Sequence, residues 1–220
     1  MAGNSIKPDQ GRLALLFLPL IAQESILPLQ AGPKLAVRRY GNVSISIQGG
    51  VLDGEALPLP SGTMARRLLY HAITRSWITK DPTVHLGGIR EMLRDLGIKN
   101  SAKSKRRLKA ELIRLSKMSI SIDYFPDGED TLRTANVRLI KSLELHGLQS
   151  DDQMSLWGSW LEFSPEFYET IIGLSHQPIH KQAIWDLTAP LSIDIYMWLQ
   201  RRTQTPVSYT HLRAHETGRN

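Results

Sequence analysis

A period-two alternation of apolar and polar residues predicts several β-strands. Residues 42–47 (NVSISI) and 119–125 (SISIDYF) alternate most regularly, which is typical of strands with one buried face. We predict further strands at residues 83–86, 133–145 and 155–163. The turn-forming sequence PDGED separates 119–125 from 133–145, so we expect these two strands to form an antiparallel hairpin.

Segments with helical periodicity lie between these strands. Residues 63–79 place Met64, Leu68 and Ala72 on one face, which predicts a helix packed on the core. Ser164 followed by proline is a typical helix start. The same reasoning predicts helices over residues 88–96, 101–118, 165–172, 180–187 and 191–204.

The order of these elements predicts an α+β fold. A helix, a short strand, two helices and an antiparallel hairpin follow one another, as in a winged helix, which is a helix-turn-helix with a β-hairpin wing. The helix pair after Pro178 resembles the start of a second winged-helix module. We therefore predict an N-terminal arm, a first winged-helix domain, a truncated second one and an artefactual tail, at residues 1–38, 39–175, 176–206 and 207–220.

The apolar run Leu13–Ala22 is the one candidate for a membrane or export segment. It has ten residues and is interrupted by Pro19, whereas a bilayer span needs about twenty. Lys7 and Arg12 before it imitate a signal peptide. We expect a strand or arm packed on the core, and, because the chain has no cysteine for an oxidising compartment, a cytoplasmic protein without membrane contact.

Composition narrows the function classes. The absence of cysteine excludes disulfides, a thiolate nucleophile and zinc fingers with cysteine ligands. The 220 residues include 27 Lys and Arg against 21 Asp and Glu, a net charge of +6. This excess suggests a polyanionic partner.

The positive charge is concentrated in the predicted helix at 101–118. Residues 99–118 contain eight Lys and Arg and one acid, Glu111. Leu108, Leu112 and Leu115 lie on the face opposite the main basic stripe, so one face suits the core and the other suits DNA phosphates. A solvated face, an acidic protein or a second subunit would fit the same stripe. We predict nucleic-acid contacts by Lys103, Lys105, Arg106, Arg107, Lys109, Arg114 and Lys117.

Catalytic motifs are missing from the sequence. It has no phosphate-binding loop, no nucleophile elbow and no His-x-His pair. His176 and His180 have metal-ligand spacing, but Pro178 between them breaks the helix that this spacing needs. We predict no catalytic residue, no metal and no cofactor. The following aromatic residues are more typical of core than of a stacking surface for single-stranded DNA: Trp157, Trp160, Phe163, Phe167 and Tyr168.

The C-terminal residues do not continue the preceding pattern. Val207–Thr217 (VSYTHLRAHET) resembles a translated adaptor of the kind used to build sequencing libraries. We therefore expect Val207 to Asn220 to be artefactual, and the natural sequence to be truncated near residue 206.

Six segments resemble the plasmid-encoded RepA family of replication proteins, in order over about residues 39 to 202. They are Arg39–Gln48, Leu57–Leu69, His85–Gly97, Lys105–Leu115, Ser155–Ser164 and Ala189–Leu199. The resemblance implies an initiator that binds repeated double-stranded sites at a plasmid origin, helps to open it and recruits host replication proteins. It also implies tandem winged helices, the first able to dimerise, and a second recognition helix that this sequence lacks.

Two other functions fit the same residues. A transcriptional regulator could use the same module on DNA. A protein-interaction adaptor could dock an acidic partner on the basic helix without contacting DNA.

Overall fold

A computed structural model describes residues 15–19, 27–126, 130–146 and 158–204. These residues form a mixed α+β fold in which every strand pairing is antiparallel. The helices are α1 (Gly62–Thr79), α2 (Ile89–Asp95), α3 (Ala102–Lys117), α4 (Pro165–Gly173), α5 (Lys181–Asp186) and α6 (Pro190–Gln204). The strands are β1 (Leu15–Pro19), β2 (Leu35–Tyr40), β3 (Val43–Gln48), β4 (Val51–Leu52), β5 (Glu55–Ala56), β6 (Thr83–His85), β7 (Ser119–Tyr124), β8 (Arg133–Arg138), β9 (Ile140–Glu144), β10 (Trp160–Phe163) and β11 (His176–His180).

The three-stranded sheet has the order β6-β10-β9 and shares one core with α1, α2 and α3. The apolar face predicted for α1 is buried at Met64, Leu68 and Ala72. Leu108 and Leu112 of α3 are fully buried in the same cluster. The helix periodicity therefore identified the core-facing sides of these two helices correctly.

The four-stranded sheet has the order β2-β3-β7-β8. Ile47 in β3 is buried, and Ala36 and Ile120 beside it pack on the core, so this end of the sheet is attached to the body. Sequence analysis missed β2. Five of its six residues are exposed, so its sequence LAVRRY lacks the alternation that marks a strand with one buried face.

The prediction of one strand over residues 133–145 is wrong. The chain forms β8, which pairs with β7, and then β9, which pairs with β10 in the other sheet. Leu139 and Ile140 are both buried, and two successive buried residues interrupt the alternation where the chain leaves one sheet for the other. The strand predicted from residue 155 begins at Trp160, after a turn at Gly158 (φ +82°), and residues 155–157 lie outside the described ranges.

The N-terminal apolar run contributes β1, which pairs with β11. Leu16 and Leu18 are fully buried, so the expected packing on the core is confirmed. No helix within the described ranges is both long and apolar enough to cross a bilayer. β1 lies in the predicted arm and pairs with β11 of the predicted second module, and β2 continues past residue 38, where the arm was predicted to end. The domain limits themselves stay predictions.

The helix pair predicted after Pro178 is present as α5 and α6. Ile193 and Met197 bury one face of α6. Arg66 of α1 is fully buried and fixes α6 through two hydrogen bonds to the Asp194 carboxylate, at 2.6 and 2.7 Å. The same guanidinium donates to the carbonyls of Leu27, Pro28 and Gly62, so its donors are used inside the fold.

Candidate nucleic-acid interface

The start of α3 is fixed by a local cap. The Ser101 hydroxyl oxygen accepts a hydrogen bond from the Ser104 backbone N–H at 3.1 Å. This satisfies one of the free donors of the first turn and begins the helix at Ala102. The first turn contains no acidic residue, so the positive end of the helix dipole adds to the charge of Lys103.

The predicted basic residues are not equally exposed. Lys103, Arg106, Arg107 and Lys117 are exposed on the outer face of α3, whereas Lys105, Lys109 and Arg114 are partly buried. No ion pair joins Lys103, Arg106 or Lys117 to a described carboxylate. The N-terminal half of α3 therefore presents most of the charge that solvent or a polyanion can reach.

Glu111 is a buried acid that contacts two of the predicted basic residues, Arg107 and Arg114. Its side chain is 1% exposed and accepts hydrogen bonds from the Ser61 N–H at 3.2 Å and from Nη1 of Arg114 at 2.9 Å. Burial raises the pKa of Glu111, and the nearby Arg114 opposes this shift. Because Arg114 pairs with a buried carboxylate, its charge mainly stabilises the fold. Arg107 stands 4.0 Å from the same carboxylate and is half exposed, so it remains available at the surface.

Lys99 and Asn100 extend this surface in the turn before α3, where both side chains are exposed. Lys99 lies within the charged run of the sequence, next to the predicted helix start, and the structure shows that its side chain is exposed there. Arg66 and Arg67 were not predicted to have any special role, because nothing in a helical pattern distinguishes a buried arginine from an exposed one.

The structure also places the histidine pair and part of the aromatic cluster that the sequence singled out. His176 and His180 lie in strand β11, so the helix that their spacing would need is not formed. Within the described ranges, no three His, Asp or Glu side chains are grouped so that they could hold a metal. Phe163 is buried with its ring centroid 5.3 Å from that of Phe167, which confirms the core interpretation for this pair. Trp157 lies outside the described residues.

Comparison with known proteins links this chain to one family and to crystal structures of RctB domains. The family described as plasmid-encoded RepA protein matches residues 63–214, which include part of the predicted tail, and the artefactual nature of that tail stays a prediction. The crystal structure of RctB domains 2-3 has a TM-score of 0.57 and 12% identity, covering 84% of this chain and 70% of that one. The crystal structure of selenomethionine derivatives of RctB domains 2 and 3 has a TM-score of 0.54 and 11% identity, covering 85% of this chain and 70% of that one. These identities indicate likeness of fold alone. No curated protein matches.

Proposed function

The chain belongs to the plasmid-encoded RepA family, and from this premise we propose that it is a replication initiator that binds repeated sites at a plasmid origin. The family match covers most of the chain and confirms the resemblance found in the sequence. The observation that carries DNA binding is α3 itself. It buries an apolar face in the core and exposes Lys103, Arg106 and Arg107 on the other.

The sheet topology supports a winged-helix module. The elements of such a module occur in the expected order, which is α1, β6, α2, α3, β9 and β10. In the sheet, β10 lies between β6 and β9. In this interpretation β7 and β8 are an insertion between α3 and the wing. The wing is then the antiparallel pair of β9 and β10, rather than the hairpin predicted from residues 119–145.

In such a module the third helix is the one that enters or lies on the major groove. The exposed cations of α3 are concentrated near its N-terminus, where backbone N–H groups also favour phosphate oxygens. We therefore assign Lys103, Arg106 and Arg107 to the phosphate backbone. These three residues are flanked by Lys105, Lys109 and Lys117. The charge of Arg114 is used chiefly in its ion pair with Glu111.

The salt dependence of duplex binding tests this assignment. Lys103→Ala combined with Arg106→Ala removes two phosphate contacts, so the plot of log association constant against log salt becomes less steep by roughly 1.8. Arg38→Ala combined with Arg39→Ala is the control, because it removes two exposed charges from β2 and leaves α3 intact. An unchanged slope in the α3 variant, or an equal change in the control, would contradict the assignment.

A plasmid-maintenance assay separates initiation from regulation. An initiator is required for replication from its own origin, and the α3 variant should lose that function together with duplex binding. A transcriptional regulator would bind DNA without supporting maintenance. Undetectable duplex binding at low salt would favour the adaptor function.

The proposed role needs no catalytic residue, metal or cofactor from this chain. Its partners are double-stranded origin DNA, host replication proteins and a second copy of the chain. It operates where the plasmid is replicated, in the cytoplasm.

A further inference from the structure

Trp185 of α5 packs directly on the turn that leads from α2 to α3. Its indole Nε1–H donates to the Asp95 carbonyl at 2.9 Å, which fixes the ring against the end of α2. Gly97 makes this approach possible, because a Cβ there would lie 2.5 Å from Cδ1 of Trp185. Gly97 also has a φ of +64°, a conformation that favours glycine.

Arg67 of α1 also connects the same turn to α5. Its guanidinium donates to the carbonyls of Leu96 at 3.1 Å and Gly97 at 3.2 Å. It also donates to the carbonyls of Trp185 at 2.6 Å and Leu187 at 3.1 Å, and lies 5.1 Å from the Trp185 ring centroid. One buried cation thus satisfies the carbonyl ends of two short helices and joins them.

Neither helix could hold this geometry alone. α2 has seven residues and α5 has six, and isolated helices of that length are unstable in water. Their arrangement therefore depends on tertiary contacts. The contacts between Trp185, Arg67 and Gly97 join parts of the chain that lie far apart in the sequence.

We propose that Trp185 and Arg67 are positioning residues for DNA binding, which hold the turn before α3 and so set the direction in which its basic N-terminal half points. This inference rests on the proposed function of α3. The core leucines of α3 hold the helix against α1, and the turn fixes where the helix begins. Releasing the turn leaves the charges in place but changes how many phosphates they reach together.

Two substitutions at Trp185 separate its hydrogen bond from its ring. Trp185→Phe removes the donor to Asp95 and keeps an aromatic ring, while Trp185→Leu also removes the cover on Gly97. Trp198→Phe and Trp198→Leu are matched controls, because Trp198 lies on α6 with 49% of its surface exposed. All variants are measured at a temperature where near-UV circular dichroism shows that they are folded.

Hydrogen exchange gives the first readout. The Gly97 and Ile98 amides bond to the carbonyls of Arg94 and Leu93 at the end of α2. In Trp185→Phe they should exchange about tenfold faster, and faster still in Trp185→Leu, while amides in the middle of α1 keep their protection. Unchanged exchange at Gly97 and Ile98, or equal acceleration throughout α1, would overturn the proposal.

Duplex binding gives the second readout. Trp185→Leu should lower the salt slope by about 0.9, the value of one phosphate contact, although no charge has been removed. Trp185→Phe should lie between this variant and the wild type, and the Trp198 controls should match the wild type. An unchanged slope in Trp185→Leu would overturn the positioning role. If the wild-type chain binds no duplex, the proposed function fails, and exchange still decides whether Trp185 holds the turn.

Discussion

α3 and α6 are anchored in similar ways but present different surfaces. α3 buries Leu112, and the carboxylate of its buried Glu111 accepts a hydrogen bond from the Ser61 N–H. α6 buries Met197, and the carboxylate of its Asp194 accepts a hydrogen bond from Arg66. The outer face of α3 is basic. The outer face of α6 is apolar, with the following side chains about half exposed: Leu191, Ile195, Trp198 and Leu199.

This difference separates the faces that build the fold from the faces that solvent can reach. The inner faces of both helices obey the same rule, that apolar side chains pack and buried charges are paired. Side chains on the outer faces are exposed, so they need neither to pack nor to be paired. The charges on α3 attract a polyanion in a manner that salt weakens, whereas Trp198 on α6 is covered in part by the Arg202 guanidinium, 4.8 Å from its ring centroid.

The largest effect should come from breaking the anchor of α6. Arg66→Met leaves Asp194 without its partner and removes the guanidinium hydrogen bonds to three backbone carbonyls, so we expect a loss of about 3–5 kcal/mol in the free energy of unfolding. Urea denaturation measures it. Arg75→Met is the control, because Arg75 is partly exposed and 3.7 Å from Asp95. A loss below about 1 kcal/mol for Arg66→Met would mean that this anchor is not needed.

The inner faces should be equally sensitive in both helices. Leu112→Ala and Met197→Ala each remove a fully buried side chain, so each should cost about 2–5 kcal/mol of unfolding free energy. Leu199→Ala on the outer face of α6 should stay within about 0.5 kcal/mol. A large loss for Leu199→Ala would show that the outer face of α6 is part of the core, and the comparison would no longer hold.

A smaller effect concerns acid stability. Burial, with Arg75 and Lys181 nearby, lowers the pKa of His71 to about 3, so the imidazole is neutral in the folded chain. The unfolded chain takes up this proton near pH 6.5, and stability therefore falls as the pH drops from about 6.5 towards 3, by at most about 1.4 kcal/mol per pH unit.

His71→Met removes this titration. Among the described residues, Nδ1 of His71 has no hydrogen-bond partner, so no described bond is lost at that atom. The unfolding free energy of the variant should vary less between pH 7 and pH 4 than that of the wild type, as measured by urea denaturation at each pH. Parallel pH profiles would contradict the assignment.

Local patterns predicted much of the structure and the candidate site. The periodicity of α1 and α3 gave their buried faces, and Ser164 before Pro165 gave the start of α4, because helix signals depend on neighbours three and four residues away. The positive charge of α3 was also predicted, because its Lys and Arg residues lie within one short run of the sequence. Strand β2 and the division of residues 133–145 were missed, since pairing partners are distant in sequence.

The sequence by itself determined where the helices lie, which of their faces are apolar and that α3 is basic. The tertiary structure alone decided that Arg66 and Arg67 are buried, that Arg114 is paired with Glu111, and that Trp185 holds the turn before α3. The physical reason is that a charged side chain can be buried only where distant parts of the chain supply its partners. No local pattern contains that information.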